Sequence, residues 1–241
     1  MNKDEKLHNI IARFKLTKKE EKEFTDIIYD IYSHNEFQIR MTDKFYHHGT
    51  VTLGEHILED TLITYKKIKK LKNKKKVDLK LALKIAMMHD LYEEAWQNRR
   101  KKFNSFFHLH GFRHPIEAAI NSALWYKDEF KDLETAKKII DGIIHHMYPF
   151  PVTVLKTFDK NDIELKNFNK IELLNDDIKK LIIESTKRKS IGSISISRSK
   201  YKEGRIMSNA DKLSTLTNLK KISDVTALAT GKNKRLIKKD K

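Results

Sequence analysis

Six residues have side chains suited to holding a metal ion: His56, His89, Asp90, His114, His146 and Asp211. His89 and Asp90 are adjacent, at the end of the apolar stretch Leu81 to Met88, and the other four are spread over more than 150 positions. Each falls in or at the start of a segment with helical patterning, which is how a helical bundle assembles a metal site, one or two side chains per helix. A mixed imidazole and carboxylate shell without thiolate suits Fe, Mn, Mg or Zn with water in the open positions. A divalent ion carrying water at neutral pH points to hydrolysis.

Helical periodicity sorts the histidines. His89 lies seven, four and three residues after Ala82, Ile85 and Ala86, so it shares their buried face. Asp90 beside it is an expensive carboxylate to bury unpaired, and a cation would compensate both. His146 follows Ile139 and Ile143 on an apolar side, whereas His145 follows Lys138 and Asp141 on a polar one. His146 is therefore the expected ligand, and His145 is expected exposed or behind the ligands. His114 precedes Pro115 and is expected at a helix entrance, facing a cleft. His47, His48, His108 and His110 read as loop residues near the site. Asp211 stands in Met207-Ser208-Asn209-Ala210-Asp211-Lys212-Leu213, with Leu213, Leu216 and Leu219 expected to make the core contacts.

The elements that position these residues follow from pattern and punctuation. Residues 17–34 carry Phe24, Ile27, Ile28 and Ile31 at helical spacing, opened by a Thr17/Glu20 capping box. Residues 40–54 read as a loop into a helix over about 53–71. Residues 78–90 read as a buried helix, and 97–113, basic and aromatic, as a loop or lid. Pro115 fits the first turn of a helix to about Lys127, and a further helix spans about Leu133 to Met147, stopped by Pro149 and Pro151. The segment 152–203 reads as an insertion with a short helix at 177–185 and an Ile/Ser hairpin at 190–197. A last helix spans about Gly204 to Ile222. This gives an all-α chain in three parts: an N-terminal helical extension (1–39), a metal-binding domain (40–222) and a basic tail (223–241).

Composition narrows the class. With 7 Gly and 3 Pro in 241 residues, helices are favoured over a β-sandwich. The absence of cysteine excludes disulfides, Cys-zinc sites and a thiol nucleophile. No apolar run nears the ~18 residues of a membrane span, and the start Met1 to Lys6 lacks a secretory pattern, so a cytoplasmic location is expected. The net charge of +17 invites a nucleic-acid partner. The lysines are dispersed among acids without aromatic stacking motifs, however, and a positive field also attracts a phosphorylated small molecule.

The order His, His-Asp, His, His, Asp, with gaps of 33, 25, 32 and 65 residues, resembles the HD-domain superfamily of metal-dependent phosphohydrolases. The likeness covers about residues 40–150 and 204–222. The segments Tyr46-His47-His48-Gly49, Gly54-Glu55-His56, His110-Gly111-Phe112-Arg113-His114-Pro115 and Ile144 to Pro149 are similar to a bacterial branch of that family. The resemblance implies an HD-type helical bundle in which His56, His89, Asp90 and Asp211 hold a first divalent ion. It implies that His114 and His146 add a second, as in the HD-type diadenosine tetraphosphate hydrolases, with Fe, Mn, Mg, Co, Ni or Zn as candidates. Glu93 matches a His-Asp-x-x-Glu variant in which the carboxylate positions or activates water. Arg113, Lys212 and His110 adjoin ligands and are candidate phosphate contacts. The departure is the segment of about fifty residues between Pro151 and Gly204, where a short link is expected. The expected activity is hydrolysis of a phosphate ester or anhydride, of a nucleotide in particular, by a metal-activated water. The alternatives are a nucleic-acid-binding protein or nuclease using the basic surface, and a metal-bound regulatory module without turnover.

Overall fold

The computed structural model describes residues 2–48, 51–73, 76–93, 110–155 and 168–218. Among them helices dominate: α1 (Lys3–Ala12), α2 (Lys18–Ser33), α3 (Asn35–Arg40), α4 (Leu53–Lys69), α5 (Leu79–Met88), α6 (His110–Trp125), α7 (Leu133–Ile144), α8 (Asp176–Lys187) and α9 (Lys202–Asn218). Strands are two or three residues long. β1 (Tyr46–His48) pairs antiparallel with β2 (Val51–Thr52). β3 (Val152–Thr153) and β4 (Ser190–Ile191) flank β5 (Ile194–Ser195), so the Ile/Ser run does form a hairpin. No helix among the described residues is long and apolar enough to cross a membrane.

Local chemistry explains most starts. Capping boxes open α1 (Asn2/Glu5), α2 (Thr17/Glu20) and α4 (Thr52/Glu55). Asp78, Asp132 and Asn175 cap α5, α7 and α8 through their side chains. α5 is apolar almost all round, and such a helix must be surrounded. It packs against α2, α4, α7 and α9; Lys80 reaches the surface, and the half-buried Lys84 pairs with Glu129. One buried cluster runs from Leu7 and Phe24 through Ile57, Met87 and Ile116 to Ile143 and Ile182, so α1 to α3 and α8 share the core of the central helices.

Three expectations are corrected. α6 begins at His110, five residues before Pro115, so His110 and Arg113 are helical and His114 lies beyond the first turn. Pro115 stands inside the helix and has no N–H to give the Gly111 carbonyl, so α6 carries it at the loss of one intrahelical bond. α7 ends at Ile144, which leaves His145 as its C-cap and His146 in the following turn. On α9, Leu213 and Leu216 are 45% and 69% exposed, while Met207, Ala210, Asp211 and Ser214 are buried. Small and polar residues on that face let α9 come close to α4 and α5. Residues 97–109, including His108, Leu219 and the 223–241 tail lie outside the described residues.

Two glycines set the approach of α7 to its neighbours. A Cβ on Gly142 would stand 2.7 Å from Ile85 Cγ2, and one on Gly204 would stand 2.8 Å from the Gly142 Cα and 2.5 Å from Ser199 Oγ. Alanine gains about 1 kcal/mol of helix propensity over glycine, but overpacking a tight core costs roughly 1–3 kcal/mol. Ile85 is fully buried and cannot yield freely. Gly142→Ala is expected to lower stability by about 1 kcal/mol and Gly204→Ala, which meets backbone, by about 2 kcal/mol. Urea titration followed by circular dichroism measures both, and stabilisation by Gly204→Ala would mean that the helices have room to separate.

Candidate metal centre

The turn after α5 delivers His89 and Asp90 together, and the surrounding elements hold that turn by its carbonyls. Ser122 Oγ donates to the Met88 carbonyl at 3.3 Å, Asn121 Nδ2 to that of Leu91 at 2.7 Å, and Arg40 Nε to that of Tyr92 at 2.9 Å. The Arg40 guanidinium is buried between the Phe45 and Trp125 rings, 5.1 and 4.4 Å from their centroids, and also donates to the Glu36 carboxylate at 3.0 Å. These contacts turn the carbonyls outward and the two ligand side chains inward.

All six expected residues converge. Asp90 lies at the centre with its two oxygens facing different partners. Oδ2 is 3.8 Å from His56 Nε2 and 3.9 Å from His89 Nε2; Oδ1 is 3.2 Å from His114 Nε2 and 3.6 Å from His146 Nε2. Asp211 Oδ1 approaches His56 Nε2 at 3.5 Å. Every one of the six is 7% exposed or less. They come from α4, the turn after α5, α6, the turn after α7, and α9.

Two residues join them. Asp60 is fully buried one helical turn after His56, its Oδ2 3.2 Å from His56 Nε2 and 3.3 Å from His89 Nε2. Ser214 Oγ on α9 donates to its other oxygen. The set His56, Asp60, His89 and Asp211 has ligand atoms close enough to share one ion, and so does the set His89, Asp90 and His146. The sequence signal for Asp60 was the spacing to His56, which puts both on one helix face beside the buried Ile57 and Thr64. The other addition is His47 on β1, a loop residue by expectation. Its ring stacks on His56 at 4.2 Å between centroids, its Nε2 lies 3.8 Å from Asp90 Oδ2, and its Nδ1 is 2.9 Å from the Tyr92 hydroxyl. A side chain 11% exposed makes it one of the more open groups of the cluster.

The imidazoles are oriented as ligands. His89 Nδ1 contacts the Ala86 carbonyl at 2.7 Å, His114 Nδ1 that of His110 at 3.0 Å, and His146 Nδ1 that of Ile143 at 2.7 Å. A carbonyl only accepts, so each Nδ1 carries a proton and each ring turns its Nε2 toward the centre, where it can give its lone pair to a metal or hold a second proton. The His114 and His146 Nε2 atoms are 3.0 Å apart. His89 Nε2, Asp60 Oδ2 and Asp90 Oδ1 are buried without a well-formed hydrogen bond among the described residues. Acceptors packed against acceptors out of water require protons or a metal ion between them. The donor set therefore fits a divalent ion, and the group of buried histidines and aspartates can hold one.

Charge reinforces this. Burial disfavours a charged His56, but Asp60, Asp211 and Asp90 outweigh it and raise its pKa to about 9. His89 goes the same way, to about 10, through Asp90 and Asp60. Burial likewise opposes ionisation of Asp90, yet His89, His114 and His146 hold its carboxyl well below the usual carboxylate range. Asp211 falls to about 2, against its own burial, through its bond to His56 and the nearby His146 and His89. Burial, with His114 and His89 beside it, pushes His146 down to about 3. Without metal, protons on His56 and His89 stand where an ion would.

The other expected site residues are placed around the cluster. Glu93 pairs with Lys170, and its backbone N–H donates to Glu117 at 2.8 Å. Arg113 is buried with its guanidinium 4.6 Å from the Phe168 ring centroid. Lys212 donates to Ser208 Oγ at 2.6 Å and to the His146 carbonyl at 3.3 Å, so it braces the turn that carries His146. His110 stacks on His114 at 4.8 Å and meets the edge of Tyr92 at 4.8 Å. His145, expected exposed or behind the ligands, is buried, between Ser197 Oγ at 2.9 Å and Ser185 Oγ at 3.2 Å. No protein-family model, curated protein or solved structure matches this chain, so what the cluster can do is argued from its own geometry.

Proposed function

We propose that this chain is a metal-dependent phosphohydrolase of HD-domain type, cleaving a phosphate ester or anhydride of a nucleotide. The observation that carries the reading is the two-sided placement of Asp90, one oxygen toward His56 and His89 and the other toward His114 and His146. A carboxylate between two groups of imidazoles suits two ions better than one. His56, His89, Asp211 and Asp60 would hold the first, His114 and His146 the second, and Asp90 would bridge them. The order of these residues along the chain, and its likeness to the HD pattern, supports the same assignment.

Bound there, divalent ions would supply Lewis-acid polarisation of a phosphoryl oxygen and an acidified water, with a pKa near 7. The chain supplies the rest. Its carboxylates and imidazoles fix ion positions without rearrangement, because Nδ1–H bonds to helix carbonyls and the Ser214 bond to Asp60 lock the rings and one carboxylate. Surrounding apolar residues exclude bulk water and so strengthen every charge interaction with a phosphoryl group. His47, at the more open side, would donate a hydrogen bond to a phosphate oxygen, with Tyr92 holding its ring.

The test is metal analysis of the purified chain followed by a panel of nucleotides with Mn, Fe, Co, Ni, Zn and Mg. Two equivalents of divalent metal and release of phosphate are expected. A chain that binds no divalent ion, or a loaded one that releases phosphate from none of the panel, overturns the assignment. One equivalent would remove His114 and His146 from direct coordination.

A further inference from the structure

A second site lies away from the cluster, in a cavity of about 340 Å³ between α7, α8 and the turn before α9. None of the six expected ligands lines it, nor do Asp60 and His47. Its apolar side is Ile140, Leu181 and the ring of Tyr201. Its polar side holds Lys137, Lys187, Arg188 and Lys200 against two acids, Asp141 and Glu184.

The acids are unequal. Asp141 is 5% exposed and already saturated: Arg188 donates to one oxygen, and Ser199 Oγ at 2.6 Å and the Lys200 N–H at 2.8 Å donate to the other. The same guanidinium is fixed through Nε to Ser197 Oγ at 3.2 Å and through a terminal nitrogen to the Arg198 carbonyl at 2.6 Å. It therefore forms a rigid wall. Lys187 and Lys200 have no ion-pair partner among the described residues, whereas Lys137 has Glu134 at 3.6 Å. The lysines outnumber Glu184, so an anion would enter a positive field. Ser185 Oγ, on the same wall, is held by His145 Nε2 at 3.2 Å.

We propose that this cavity binds a small organic phosphate: its phosphate on Lys187 and Lys200, and a flat apolar body against Leu181 and Tyr201. The cation pair alone would accept any anion. The apolar wall opposite selects one with a ring, and the volume sits near the ~300 Å³ lower end of small-molecule sites. That size suits a monophosphate of one ring system. Binding here does not depend on the hydrolase reading, since no residue of the metal centre takes part.

Phenylphosphonate is the probe, because its carbon–phosphorus bond is not hydrolysed, with inorganic phosphate as the comparison. Both are titrated calorimetrically into the full chain as purified, and into Lys187→Ala/Lys200→Ala, Tyr201→Ala and Asp90→Ala. The lysines are exposed, so the double variant keeps its core. It is expected to bind phenylphosphonate at least about tenfold more weakly, the effect of losing one charge-assisted contact or more. Tyr201→Ala is expected to weaken phenylphosphonate but not inorganic phosphate. Asp90→Ala is expected to keep this binding. An isotherm unchanged in the double variant, or binding that vanishes with Asp90→Ala, overturns the proposal; equal affinity for the two probes overturns the role of the apolar wall.

Discussion

Asp90→Ala is expected to remove phosphate release by at least about a thousandfold, some 4 kcal/mol of transition-state stabilisation, and to lower bound metal from two equivalents to one or none. The size follows from position. Asp90 approaches five Nε2 atoms at 3.2 to 3.9 Å, and among the described residues no other carboxylate touches both imidazole groups. Removing it leaves His114 and His146 facing each other at 3.0 Å without an anion to hold a cation there. The helix content is expected to stay, since Asp90 lies past the end of α5 and its side chain makes no helix-capping bond. Glu93→Gln is the matched control. That carboxylate pairs with Lys170, so its neutralisation is expected to change the rate by less than about tenfold. The pair of results separates two readings of the His-Asp-x-x-Glu pattern. A metal-loaded, active Asp90→Ala chain would end the bridging assignment. A Glu93→Gln chain as dead as Asp90→Ala would move the essential carboxylate to Glu93.

Where sequence and structure agree, a strong periodic signal coincided with local chemistry. α2 and α4 have apolar stripes with capping residues, and α5 has nothing polar but Lys80 and Lys84. The residues that converge were readable for a related reason. His89 and His146 sit in register with apolar neighbours, and a polar group in an apolar row is a signal in itself. Asp60 gives the same signal but was hidden by Glu59 beside it, which makes the pair look like ordinary surface acid; Glu59 is indeed at the surface, near Arg13. On α9 the leucines point to the wrong face, since Leu213 and Leu216 are exposed while Ala210 and Ser214 are buried. Close helix approach favours the small residues, and Asp211 had to face the cluster whatever that left exposed. The start of α6 was not legible, because a proline points to the first turn of a helix and Pro115 instead lies inside this one. The cavity beside α8 was out of reach altogether, since it forms between segments about sixty residues apart.

Metal affinity is expected to rise steeply with pH, by up to about a hundredfold per pH unit near neutrality. The reason is competition for the same lone pairs. In the metal-free chain His56 and His89 hold protons up to about pH 9 and about pH 10, because Asp60, Asp90 and Asp211 crowd them. An ion must displace both, and two protons released give two powers of ten per unit until pH passes the lower of these values. The same protons stabilise the empty site. Both pKa values lie above the ordinary 6.5. Their contribution to stability is therefore complete below about pH 6.5 and is lost as pH rises through 9 to 10. Asp211 acts in the opposite sense. Its pKa is lowered from 3.8 to about 2, so its contribution is present above pH 3.8 and is lost as pH falls through about 2. Below pH 6.5 His146, held down to about 3, costs stability, because the unfolded imidazole takes up a proton that the folded one refuses. The chelator-treated chain should thus melt highest near pH 6.5 and lose stability toward both acid and pH 10, while the metal-loaded chain, with cations in place of the protons, should hold its melting temperature across the alkaline range. Thermal melts at paired pH values, with and without chelator, read both curves. A chelated chain whose melting temperature is flat from pH 6 to 10 would mean that the two imidazoles carry no shared protons, and that the carboxylates around them are compensated in some other way.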